Sequence, residues 1–220
     1  MEGTPLVNRL EEQVAGVCLI AGAVLLAPTT YFEYSEGRLF GAGALGLVLY
    51  ALLVPGLLGV ARSLRQGAPR LSVVVGLLAT LGCVGGAVFQ TALLHEWAAR
   101  TAGTPEAMVA AIMAVTEGRV FPVLVIFGIL FPIALLTLGV GLFRTGVAPT
   151  WLAALLGIGA IAWPVGHIGS MQLVQHLADA LVLVPLVWLG LRSLTNATPQ
   201  GVAVPAATQA PPRNVRHTHS

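Results

Sequence analysis

Apolar residues run through this chain in long blocks separated by short polar stretches. A helix rises about 1.5 Å per residue, so about 20 apolar residues carry it across the hydrocarbon core of a bilayer. Six blocks meet that requirement: 13–30, 39–61, 71–94, 120–143, 151–170 and 176–192. Their flanks mark the ends, with Glu11 and Glu12 before the first and Arg62, Arg144 and Arg192 closing the second, fourth and sixth. The pattern predicts an all-α, polytopic bundle of six transmembrane helices spanning 13–194, after a short N-terminal segment (1–12). Two acids stand where the basic region of a cleavable signal peptide would be, so the first block is expected to remain as a membrane helix.

Between the third and fourth blocks lies the longest loop, about 95–119. Thr104-Pro105-Glu106 reads as a helix start, with Thr as cap and Pro at the first helical position. Met108, Ile112 and Val115 then share a face of a helix too short to span, either interfacial or an extension of the fourth span. From Thr195 to Ser220 the chain is rich in Pro, Ala, Thr and Gln without an apolar period, and is expected to be a disordered tail.

Composition supports the membrane reading. Of 220 residues 56% are hydrophobic and 9% charged, against about 25% charged in soluble domains. The net charge of +2 gives no basis for a nucleic-acid partner. All 11 basic residues are Arg, so there is no Lys to form a retinal Schiff base or to serve a phosphate-binding P-loop. Cys18 and Cys83 lie within apolar blocks and read as small packing residues. The Ala-, Gly- and Arg-rich usage without Lys points to a bacterial source.

Arg placement sets the expected orientation. Arg9, Arg62, Arg65, Arg70, Arg144 and Arg192 fall near helix ends on one side, against Arg38, Arg100 and Arg119 on the other. Excess Arg marks the cytoplasm, which puts both termini there, in a cell (inner) membrane. The chain also resembles itself. Glu36-Gly37-Arg38-Leu39-Phe40 recurs as Glu117-Gly118-Arg119-Val120-Phe121, and Gly59-Val60-Ala61-Arg62 echoes Gly141-Leu142-Phe143-Arg144. Helices two and three thus read as a parallel repeat of helices four and five. The alternative is that Glu-Gly-Arg is simply a convenient interfacial helix start.

The membrane interior is almost free of charge, and polar residues gather on the expected outer side. Glu33, Glu36, Arg38, His95, Glu96, Glu106, Glu117, Arg119, His176 and Asp179 map there. Gln90 precedes His95 on the third helix, Gln172 opens the last junction, and His167 lies about 24 Å from the inner end of the fifth helix. His176 and Asp179 are three residues apart on one face, where the carboxylate could orient the imidazole. Three readings stay open. His95, His167 and His176 could hold haem or a divalent metal. The same groups could line an outward pocket that binds, transports or processes a small molecule. They could also be interfacial residues holding helix ends, in a structural or regulatory membrane component without a ligand. Pro28, Pro55, Pro122, Pro132, Pro164 and Pro185 free helix carbonyls and can kink. The glycines at 41, 43, 46, 82 and 86 allow close helix contact, within a protomer or in a homo-oligomer.

Gly118-Arg119-Val120-Phe121, the segment Phe143-Arg144-Thr145-Gly146-Val147-Ala148-Pro149-Thr150-Trp151-Leu152 and the Gly-rich helix after it resemble small bacterial six-helix membrane proteins of unknown function. The similarity covers about 120 residues, from helix three to helix five. It implies the topology and nothing about the chemistry.

The orientation is open to a direct check. With Cys18 and Cys83 replaced, Thr104→Cys should react with a membrane-impermeant thiol reagent on intact cells and Ser63→Cys should not. The opposite pattern would invert the topology.

Overall fold

A computed structural model of the chain describes residues 5–35 and 38–196. The elements are α1 (Pro5–Glu33), α2 (Leu39–Ser63), α3 (Pro69–Thr101), α4 (Glu106–Val115), a π turn (Thr116–Val120), α5 (Phe121–Gly128), α6 (Leu130–Thr145), α7 (Thr150–Ile168) and α8 (Gln172–Asn196). Among the described residues there is no strand, and six helical stretches are long and apolar enough to cross a membrane: Val7–Glu33, Leu39–Ser63, Pro69–Thr101, Val125–Thr145, Thr150–His167 and Gln172–Thr195. The protein is a multi-pass helix bundle. Glu36 and the tail beyond Asn196, including His217 and His219, lie outside the described residues.

Successive spans run antiparallel and close into a ring. α1 packs on α2, α2 on α3, α3 on α6, α6 on α7, α7 on α8, and α8 returns to α1. Pro5, Ser63, Pro69, Thr145 and Thr150 therefore share one end, here the near end, and Glu33, Arg38, Thr101, Ile168 and Gln172 share the far end. Leu19, Leu49, Leu53, Leu57, Phe131, Leu135, Leu138, Leu156 and Leu186 fill the middle of the ring. At the near end Glu11 and Arg62 meet at 2.7 Å, an exposed tie between α1 and α2.

The face each helix turns inward follows from side-chain size. On α3, Gly76, Ala79, Cys83, Gly86 and Gln90 recur at intervals of three and four and are buried, while Val73, Leu77, Val84 and Val88 are exposed. In water an exposed valine–leucine stripe would be a liability. In a bilayer it is the lipid-facing side, and the small residues on the opposite face let neighbouring backbones approach. At Gly82 a Cβ would strike the backbone of Phe131 on α6, and at Gly86 it would strike the ring of Tyr50 on α2.

Proline marks the entry to the fourth span. Residue 120, its expected start, is the last of the π turn, and α5 follows from Phe121. Pro122 cannot donate to the Gly118 carbonyl four residues back, and the widened π turn falls at that point. Pro132 likewise cannot donate to Gly128, and a single residue, Ile129, separates α5 from α6 while keeping helical backbone angles and its bonds to Val125 and Ile133. α2, the counterpart of this span in the proposed repeat, runs unbroken past its own Pro55. α4 begins at Glu106 with Pro105 as its cap residue and no side-chain capping bond, so Thr104 does not cap it. It continues through the π turn into α5 and is an extension of the fourth span. α6 ends on Gly146 at φ 64°, a left-handed cap that glycine adopts without strain.

Gly82→Ala should cost about 1–3 kcal/mol in thermal or denaturant unfolding of detergent-purified protein, because α3 and α6 must separate to admit the methyl group. Gly128→Ala, where a Cβ meets open space, should be neutral or raise stability by roughly 0.5–1 kcal/mol through helix propensity.

Candidate functional site

Four spans deliver polar side chains to the interior of the far end. The last turns of α1 bring Thr29, Thr30 and Glu33; Thr29 and Thr30 are buried, and Thr29 and Glu33 are one turn apart on the same face. α3 brings Gln90, the next position of its buried small-residue stripe and only 3% exposed. Its amide has room because position 46 of α2 is glycine; a Cβ there would overlap the amide itself. α7 contributes Trp163 and His167, four residues apart, whose rings stack at 4.0 Å between centroids and 25° between planes. α8 contributes Gln175 and Asp179, also four apart, at 0% and 1% exposure.

These groups meet around Glu33. Gln90 Nε2 donates to Glu33 Oε1 at 2.7 Å, and His167 Nε2 lies 3.7 Å from Glu33 Oε2. Gln175 Nε2 donates a long bond of 3.4 Å to Asp179 Oδ1. The Thr30 hydroxyl lies within reach of the same carboxylate, and Glu33, His167 and His176 are near enough to act on its charge. Beside them Tyr34, just past the end of α1, has its phenol pushed above the usual range by burial and then by the Glu33 and Asp179 carboxylates.

The buried side-chain atoms without a partner, among the described residues, are Thr29 Oγ1, Gln90 Oε1, His167 Nδ1, Gln175 Oε1 and Asp179 Oδ2. All five belong to this group. No Arg among the described residues forms an ion pair with Glu33 or Asp179. Two acids thus share an apolar bundle with imidazoles as the only cation sources in contact. Isolated buried charge is costly, and an unmet buried polar atom costs about 1–3 kcal/mol. A cavity of about 180 Å³ opens on one side of the group, lined by Tyr50, Phe89, Gln90, Ile129, Trp163 and His167 among others. Gln90 and His167 are its polar lining; the rest is glycine, aliphatic side chains and the rings of Tyr50, Phe89 and Trp163.

The residues singled out from sequence are divided by the structure. Gln90, His167 and Asp179 join this group. His95 is exposed and, with Glu96, lines a separate apolar cavity of about 480 Å³ between α3 and α4. Glu96 is held by Arg100 at 2.9 Å, and the same guanidinium holds Glu106 at 2.8 Å, which fastens the start of α4 to the end of α3. Arg38 lies 5.5 Å from the ring centroids of both Tyr31 and Phe32. Gln172 and Arg119 are exposed, and the Glu117 side chain lies outside the described residues. The pairing expected of His176 with Asp179 is not the one formed. Asp179 points into the bundle and bonds Gln175, one turn back, while His176 is half-buried beside it. The three-histidine centre is not assembled either: among the described residues no group of three or more His, Cys, Asp or Glu is close enough to hold a metal ion. His95 is held away on α3, one turn beyond the Thr91 that lines the other cavity.

Thr29, Thr30, Gln175, Tyr50 and Trp163 were not among the sequence candidates for the site, whereas Glu33 was one of the polar residues that map to the outer side. Two signals were available: a Thr-Thr pair inside an apolar run, and the Gln175–Asp179 spacing. No family model matches the chain, and neither the curated proteins nor the solved structures contain a match to it.

Gly46→Ala should displace the Gln90 amide from Glu33 and cost about 1–3 kcal/mol. In the Gln90→Ala background the same substitution should cost much less, because the obstructing side chain is gone. A double-mutant cycle measured by thermal unfolding checks the coupling.

Proposed function

We propose that this chain is an inner-membrane protein with cytoplasmic termini whose far end faces outward and holds a small polar molecule among Glu33, Gln90, His167, Gln175 and Asp179. One observation carries this reading: among the described residues, four of the five buried side-chain atoms without a hydrogen-bond partner belong to Gln90, His167, Gln175 and Asp179, and Gln90 and His167 line a cavity. Intramembrane ionisable residues are expensive and persist where they serve binding or transfer. Polar atoms kept ready for a guest account for the cost, whereas a structural network would be closed. Binding, with or without passage across the membrane, follows from the same set of residues.

Asp179→Asn separates the two uses of the group. It removes a buried charge and keeps the shape, so a site retained for a ligand should melt no lower than the unsubstituted protein in detergent. A panel of small amines, amino acids, sugars and carboxylates should contain solutes that raise the melting temperature of the original protein and lose that effect on the variant. A drop in stability of about 3–5 kcal/mol in the variant, with no solute raising the melting temperature of the original protein, would make the group structural.

A further inference from the structure

Taking the proposed binding site as given, we infer that its guest is a small organic ammonium compound, with the charged nitrogen against Gln90 and His167 and an apolar body among Tyr50, Phe89 and Trp163.

The unmet atoms define the polarity of the guest. Of the residues with unmet atoms, Gln90 and His167 line the cavity, and the Gln90 amide oxygen accepts hydrogen bonds and cannot donate. His167 Nε2 lies 3.7 Å from Glu33 Oε2. The Gln90 oxygen on the polar wall is therefore short of a donor. An ammonium group brings three N–H donors and no acceptor. Gln90 is 3% exposed, and its unpartnered amide oxygen belongs to a residue lining the cavity.

Charge selects the same class. Glu33 stands directly behind both polar wall residues, bonded to Gln90 and 3.7 Å from His167. Asp179 adds a second carboxylate nearby, and no Arg among the described residues neutralises either. An anionic guest would meet that field head-on, and a neutral alcohol would leave it uncompensated. A bare metal ion is disfavoured by the spacing, since no three candidate ligands converge among the described residues. The remaining lining is glycine, aliphatic and aromatic, and its rings Tyr50, Phe89 and Trp163 suit an apolar body and favour a cation near ring faces. At about 180 Å³ the space is below the ~300–1,000 Å³ of drug-sized pockets, so the guest is compact.

The test uses the full chain in detergent and three probes of one shape: benzylammonium, benzyl alcohol and benzoate. Binding is read by equilibrium dialysis and by the fluorescence of Trp163, with the other tryptophans replaced by Phe. Benzylammonium should bind about tenfold or more tightly than benzyl alcohol, as expected of charge-assisted hydrogen bonds, and benzoate should not bind. Glu33→Gln should bring the ammonium affinity down to that of the alcohol while leaving the alcohol unchanged. Gly128→Phe supplies a control independent of the polar group. Gly128 lines the cavity and has open space where a side chain would begin, so filling it should abolish binding of both probes with the fold intact. Equal binding of ammonium and alcohol, or preference for benzoate, would overturn the ligand class and leave the binding site standing. Absence of any binding that Gly128→Phe removes would overturn both.

Discussion

Hydrocarbon offers no hydrogen bond, so a polar atom inside a membrane bundle must find its partner in the protein. Over most of this chain that requirement is met locally. The hydroxyls of Thr80, Thr91, Thr137 and Ser193 each donate to the carbonyl one turn back on the same helix. The ion pairs Glu11–Arg62 and Glu96–Arg100–Glu106 stand at the ends of the bundle, where water is at hand. The interior of the far end is the departure. There Gln90 reaches Glu33 on another helix at 2.7 Å, the Gln175–Asp179 bond within α8 is long at 3.4 Å, and five buried atoms of the described residues have no partner. Whatever this protein does is most economically placed where its polar atoms are left unmet.

That group depends on helices lying unusually close together. Gln90 can turn inward because residue 46 is glycine, and Tyr50 can lie flat against α3 because residue 86 is glycine. Gly166 makes the matching allowance on α7, where a Cβ would press on Gln175 of α8 at 2.8 Å from its Oε1. The small residues do not supply chemistry. They set distances between backbones, and the distances decide which polar side chains meet. The same logic places the cavity: α5 ends at Gly128, Pro132 leaves the Gly128 carbonyl without its helical donor, and Ile129, between α5 and α6, lies on the cavity wall.

Polarity alone could not separate the site from its surroundings in the sequence. His95, His167 and His176 read alike, as imidazoles near the outer ends of helices. In three dimensions His167 stacks on Trp163 beside Glu33, His176 lies half-buried next to Asp179, and His95 is exposed at a different cavity. Glu96, Glu106 and Arg38 were equally plausible from position, yet they tie α4 to α3 or cover aromatic rings. Asp179 was picked out with the wrong neighbour, because spacings of three and four both place residues on one helix face. Burial then selected Gln175 over His176.

The amino-acid sequence determined by itself that the chain is all-α and multi-pass, because twenty consecutive apolar residues have a stable home in a bilayer and their count is read along the chain. It also determined which residue types were available for chemistry, and that these cluster toward one side. Only the tertiary structure decided which of them meet. A polar contact between α1, α3, α7 and α8 joins positions as far apart as Glu33 and His167, and its existence rests on the closure of the ring and on the glycines that set helix separation. Local periodicity carries the direction in which a side chain points from its own helix. It carries no information on what stands opposite.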